Sequence, residues 1–186
     1  MGLLSSWSFE GLVDTSGSPP PIAATILLPE GPALSIVVAH APPPTMGSLR
    51  TGPRYDPTNR DLSIEWLRQR IGPSLEAGDP IVLLGDFNVT DREVGYGELS
   101  DGLTDSYRTA GSGWGHPWRP PRMAGLPFGL LRVDLALAGP QFMYMKCRAT
   151  AAAWFSTFLE KPLVSRVKRR MRIRINVSST DSTASP

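Results

Sequence analysis

The chain has 186 residues, 41% hydrophobic and 19% charged, a composition that supports one soluble globular domain with a sizeable core. Its single cysteine, Cys147, excludes an internal disulfide and a cysteine-based zinc site, and no apolar run approaches the roughly 20 residues that span a bilayer. The net charge of +2 conceals a split, because residues 161–174 hold seven Lys/Arg and no acid while the residues before them hold 12 bases and 16 acids. A basic run of that kind suits contact with a polyanion, or a solvated tail. The start, MGLLSSWSFEG, lacks the basic region and apolar core of a secretion signal, so the expected location is soluble and cytoplasmic by default.

The 19 prolines and 18 glycines predict many loops and short elements. In chain order, residues 1–8 suit a short strand and 9–22, with its SGSPPP, a loop. Residues 23–28 and 34–41 read as a hairpin across a Pro-Glu-Gly-Pro turn, and Pro42–Pro44 open a long loop. Thr58 or Asn59 is placed to cap a helix carrying Ile64, Leu67, Ile71 and Leu75, which Gly72–Pro73 should kink or end early. Trp66 in that helix reads as core. Residues 81–86 form an aliphatic strand, 103–109 a short helix, and 133–138 and 142–149 further strands. Residues 170–177 alternate with period two and suit an edge strand, while 178–186 form a polar, disordered tail. Strands with interspersed helices indicate an α/β layered domain.

The stretch IVLLGDFNVTDRE, residues 81–93, ends a core strand on Asp86 and Asn88. Residues two apart on a strand point to one face, so both side chains can address one site. A turn is the plainer reading, since Asp and Asn are ordinary turn residues. Average residue usage produces Gly-Asp-Phe-Asn by chance in roughly one chain per thousand of this size, which favours a site. An ionised carboxylate binds Mg²⁺ or holds a water for attack, and an amide donates to a phosphate oxygen, as phosphodiester hydrolysis requires. His40 ends a second aliphatic strand. Asp134 leads a third, where a buried carboxylate needs a partner. His116, in the glycine-rich GSGWGHPWRPP, reads as a loop residue; the aromatic residues and arginine around it suit either base stacking or simple packing.

VVAHAPPP, VLLGDFN and LRVDLALA, in that order and at these separations, resemble the endonuclease/exonuclease/phosphatase superfamily, which includes the DNase I-like nucleases. GLTDSYRTAG, between the second and third blocks, is similar to the segment found there in members. The resemblance implies a four-layered α/β sandwich and Mg²⁺- or Mn²⁺-dependent cleavage of a phosphoester in nucleic acid, a nucleotide or a phospholipid headgroup. It assigns Asp86 to orienting the attacking water and binding the metal. It assigns Asn88 to holding the scissile phosphate, His40 to a hydrogen bond with a phosphate oxygen, and Asp134 to orienting a second histidine.

Members also carry an N-terminal Asn, a metal-binding Glu about 30 residues later, and a closing Ser-Asp-His. Here MGLLSSWSFEG resembles a strand downstream of the first two, and Phe158, Leu159 and Glu160 occupy the last three positions. The resemblance therefore implies the back two-thirds of a domain over residues 1–149, a divergent segment over 150–177 and a tail over 178–186. Three readings follow: a hydrolase with an incomplete site, weak metal binding and little activity; a non-catalytic remnant that binds a phosphorylated ligand or a protein; or an unrelated α/β domain in which Asp86 and Asn88 form a turn.

Overall fold

A computed structural model describes residues 2–4, 8–13, 21–28, 32–47, 55–111, 130–142, 144–149, 154–160 and 171–176. Strands β1 (Gly2–Leu4), β2 (Phe9–Val13), β3 (Ile22–Ile26), β4 (Leu34–His40), β5 (Thr45–Met46) and β6 (Tyr55–Asp56) precede helix α1 (Thr58–Glu76). Strand β7 (Ile81–Asp86), helix α2 (Val94–Ser100), strand β8 (Thr104–Asp105) and helix α3 (Ser106–Ala110) follow. Strands β9 (Asp134–Ala138), β10 (Tyr144–Ala149), β11 (Trp154–Glu160) and β12 (Met171–Asn176) complete the series. A six-stranded sheet has the order β2-β3-β4-β7-β9-β8, a four-stranded sheet the order β1-β12-β11-β10, and β5 and β6 form a small ribbon.

The six-stranded sheet positions the site. β4 and β7 run parallel at its centre, and their remaining neighbours in the sheet are antiparallel. Both are almost unbroken runs of aliphatic residues, as expected of strands buried on both faces. On one face Val37, Leu83, Leu135 and Leu137 pack against Ile64, Leu67 and Ile71 of α1 and Tyr96 and Leu99 of α2. On the other face Ile36, Val38, Val82, Leu84 and Ala136 form a second cluster with Ile26, Leu34 and Phe142. Each fully buried Leu or Ile contributes about 1.5–3 kcal/mol, so the two clusters hold the sheet rigid.

The hairpin, the strand at 81–86 and the helix at 58 arise where expected, with several corrections. Residues 9–13 form an edge strand on β3 instead of loop. The expected cap at Thr58 or Asn59 is supplied by Asp56, whose Oδ1 accepts from the Thr58 N–H at 3.1 Å and the Thr58 hydroxyl at 2.6 Å. α1 runs through Gly72 and Pro73 to Glu76. A proline in the last turn removes one hydrogen bond, and burial of Ile71 at 1% exposure holds that turn in place. The Met171–Asn176 strand lies inside its sheet, between β1 and β11, and not at an edge. The expected loop containing His116, most of the basic run and the tail from 178 lie outside the described residues.

Candidate active site

The parallel register of β4 and β7 pairs His40 with Asp86, and the antiparallel register of β7 and β9 pairs Asp86 with Asp134. Three ionisable residues therefore form one row across the end of the sheet. His40 Nε2 lies 3.8 Å from Asp86 Oδ2, an ion-pair distance when the imidazole is protonated and too long for a direct hydrogen bond. Gly85 makes the close approach possible. A Cβ there would stand 1.8 Å from the Ala39 carbonyl oxygen, so only glycine lets β7 run beside β4 up to the site.

Beyond the row the chain stays pinned. The Ala41 N–H donates to the Asp86 carbonyl and the Phe87 N–H to the Val133 carbonyl, both at 2.9 Å, which continues the pairing past the strand ends. Phe87 and Val89 are fully buried, so Asn88 between them is held from both sides. Asn88 has φ 49°, the one positive value at a non-glycine among the described residues. Its N–H donates to Asp86 Oδ1 at 3.0 Å, an Asx-type turn that tolerates the left-handed backbone. Its Nδ2 donates to the Ala41 carbonyl at 2.9 Å. A carbonyl only accepts, so the nitrogen of the Asn88 amide must face it and the side chain has one orientation.

The electrostatics are those of two carboxylates in a dry place. Asp134 is 6% exposed. Burial, and then the charge of Asp86, push its carboxyl up to about 7. Burial also raises Asp86, against the opposing pull of the Asn88 N–H and of His40. No three His, Cys, Asp or Glu side chains converge on one point among the described residues. Asp86 and Asp134 still offer hard oxygen donors with mutual repulsion to relieve, a donor set that fits a hydrated divalent cation of the Mg²⁺ type.

A second cluster, unseen in the sequence, backs this row. Arg60 of α1 is 2% exposed. Its guanidinium bonds Asp61 Oδ1 at 2.8 Å, the Tyr55 hydroxyl at 2.7 Å, Glu93 Oε2 at 2.5 Å and the Asn88 carbonyl at 3.1 Å. Glu93 Oε1 in turn accepts from the Thr90 N–H and hydroxyl, both at 2.9 Å. Burial would raise the Glu93 carboxyl, but the bonds from Tyr55, Thr90 and Arg60 win and hold it at about 2. The available signal was Glu93 itself, at the end of the quoted motif; nothing marked Arg60 as buried. At the start of β9, Arg132 Nη2 lies 2.8 Å from Asp105 Oδ2, tying Asp134's strand to the α3 cap.

The structure thus brings His40, Asp86, Asn88 and Asp134 together, and His116 lies outside the described residues. Sphingomyelinase C from Streptomyces griseocarneus has a similar fold, with TM-score 0.53 at 12% identity over 89% of this chain and 63% of its own. A beta toxin variant from Staphylococcus aureus with bound magnesium ions gives TM-score 0.53 at 10% identity over 83% of this chain and 56% of its own. Mannosyl-6-phosphatase from Bacteroides thetaiotaomicron gives 0.50 at 15% identity over 95% of this chain and 67% of its own. The chain spans 63% of the sphingomyelinase, less than two thirds of its length. No curated protein sequence matches it. These likenesses establish the DNase I-like α/β sandwich, and the sequence model of the endonuclease/exonuclease/phosphatase family matches residues 1–150, so the chain belongs to that family.

Proposed function

We propose that the row His40–Asp86–Asp134, with Asn88 beside it, is the phosphoryl-handling part of a divalent-metal-dependent phosphoester hydrolase site, weakly assembled in this chain. The observation that carries the proposal is the strand register, which sets an imidazole and two carboxylates side by side at one sheet end. In this reading Asp86 orients the attacking water and takes up its proton, Asn88 donates to a phosphate oxygen, and His40 donates to another. Asp134, paired with Asp86 in the strand register, adds a second carboxylate whose proton a bound cation would displace. Asp86, with Asp134 beside it, would hold Mg²⁺ or Mn²⁺, which supplies charge neutralisation at the phosphoryl oxygens. Two of the similar structures are named as a sphingomyelinase and a mannosyl-6-phosphatase, which supports a phosphoester substrate: nucleic acid, nucleotide or phospholipid headgroup. The basic stretch 161–174 adds a means of holding a polyanion.

Two carboxylates without a third ligand among the described residues hold Mg²⁺ weakly, because the ion gives up its water reluctantly. The same observation favours a second reading, a site that binds a phosphorylated ligand without turning it over. Hydrolysis of bis-p-nitrophenyl phosphate and plasmid nicking, with Mg²⁺, Mn²⁺ or EDTA, decide between them. The expected metal-dependent rate is no more than about tenfold above that of Asp86→Ala. A rate indifferent to EDTA and to Asp86→Ala, in a chain that also binds no phosphate, sinks the site assignment. A far larger rate that depends on Asp86 overturns weak assembly. Phosphate binding with no Asp86-dependent turnover establishes the second reading.

A further inference from the structure

We infer that Arg60 is a positioning residue for Asn88, acting from behind the site without touching a substrate; the inference rests on the role proposed for Asn88. Arg60 carries its charge in a nearly closed environment, 2% exposed, so it must be matched by fixed acceptors. Two of these, Asp61 on its own helix and Glu93, neutralise it, and ion pairs alone would make Arg60 a strut between α1 and the 88–93 loop. The bond from Nη1 to the Asn88 carbonyl, at 3.1 Å, is what goes beyond a strut. That carbonyl belongs to the one non-glycine residue with positive φ among the described residues.

Each side of Asn88 is held by a different element. Its N–H is fixed by Asp86 of β7, its side-chain nitrogen by the Ala41 carbonyl after β4, and its carbonyl by Arg60 of α1. Removing the last leaves the peptide plane after Asn88 free to turn, and the left-handed conformation then competes with the more favourable right-handed or extended ones. Once φ of Asn88 relaxes from its positive value, rotation about N–Cα swings the side chain away from Ala41 and out of line with the Asp86 row. The fork of Arg60 is needed because its two ends hold different elements: Nε and Nη2 stay on Asp61 of α1 while Nη1 reaches Glu93, Tyr55 and Asn88, and a lysine ammonium, a single point, cannot hold both ends at once. Glu93 makes the same loop a closed unit by accepting from Thr90 while it pairs with Arg60.

The test is amide hydrogen exchange by NMR in wild type and Arg60→Lys, with chemical-shift titration of inorganic phosphate. The expected result is about tenfold faster exchange at Asn88, Val89 and Thr90 with β7 amides Val82, Leu83 and Leu84 within about twofold of wild type. Phosphate affinity at the Asn88 side-chain amide should fall about fivefold or more. Equal slowing or quickening across β7 and the loop would make Arg60 a general stabiliser and overturn the inference. Unchanged exchange at Asn88 overturns it as well, even in an active protein. If wild type binds no phosphate, the reading of the site fails while the exchange pattern still decides the role of Arg60. Should Arg60→Lys not fold, Glu93→Gln is the milder variant, expected to quicken exchange at Thr90 and Asn88 about threefold with β7 unmoved; no local change there counts against the inference.

Discussion

At the scale of single residues, Gly85 sets the geometry of the candidate site and Asp134 its dependence on pH. Gly85 has no room for a methyl group, since its Cβ would meet the Ala39 carbonyl at 1.8 Å and its φ is 153°. Both neighbours are central strands that cannot shift without breaking the buried ladder. Gly85→Ala should therefore lower unfolding free energy by on the order of 3 kcal/mol or more, or abolish folding, read from urea denaturation. Asp134 gives the pH dependence. Its folded carboxyl sits at about 7 against an ordinary value of 3.8, so between those values the folded state holds more protons than the unfolded one. Stability then falls as pH rises from about 4 to about 7 and levels off above. Asp134→Asn mimics the protonated acid and removes most of this slope. At pH 8 the variant should be more stable than wild type by on the order of 2–4 kcal/mol, from thermal melts across pH 5–8. A variant with the wild-type slope would contradict the assignment of that slope to Asp134.

At the scale of elements, the long periodic segments were legible and the short ones were not. β4 and β7 announced themselves as aliphatic runs, and the polar residues that close them were visible as His40 and Asp86. Their adjacency was not, because period two tells which face a residue occupies and never which strand lies beside it. The same limit explains why Met171–Asn176 resembled an edge strand and is an interior one. The sequence carries no helix signal over α2, because Gly95 and Gly97 are poor helix formers. Packing overrides that weakness, since a Cβ on Gly95 would come within 3.2 Å of Ile64 Cδ1, so glycine lets α2 lie tightly on α1. α3 owes its start to Asp105, whose Oδ1 accepts from the Tyr107 and Arg108 N–H groups and whose Oδ2 accepts from the Tyr96 hydroxyl. Asp105 also faces the buried Arg132 at 2.8 Å. Asp105→Ala removes a cap and leaves the buried Arg132 only the longer pairing with Asp91 at 3.9 Å, so a loss of about 2–4 kcal/mol is expected in denaturant melts. A loss under about 1 kcal/mol would mean that Arg132 finds another partner, or water.

At the scale of the whole molecule, one well-packed sheet carries the imidazole, the amide and two carboxylates, and the relatives of similar fold are longer chains. In the proposed site a divalent ion would meet Asp86 and Asp134, two carboxylates that repel one another and that burial holds towards their protonated forms. Cation binding and proton binding therefore compete for the same oxygens. Below about pH 6 Asp134 is mostly protonated and the ion must displace a proton; near pH 8 the site is already ionised and the ion relieves its repulsion. With weak affinity, a dissociation constant of order 10 mM, adding about 10 mM Mg²⁺ stabilises by only about 0.4 kcal/mol. For a chain of this size that is roughly 1–2 °C in melting temperature. The expected outcome is a shift of that size at pH 8, a smaller one at pH 6, and none in Asp86→Ala at either pH. Calorimetric melts with Mg²⁺ against matched ionic strength from NaCl separate specific binding from screening. A shift that persists in Asp86→Ala, or that is larger at pH 6 than at pH 8, would place the cation elsewhere on the molecule.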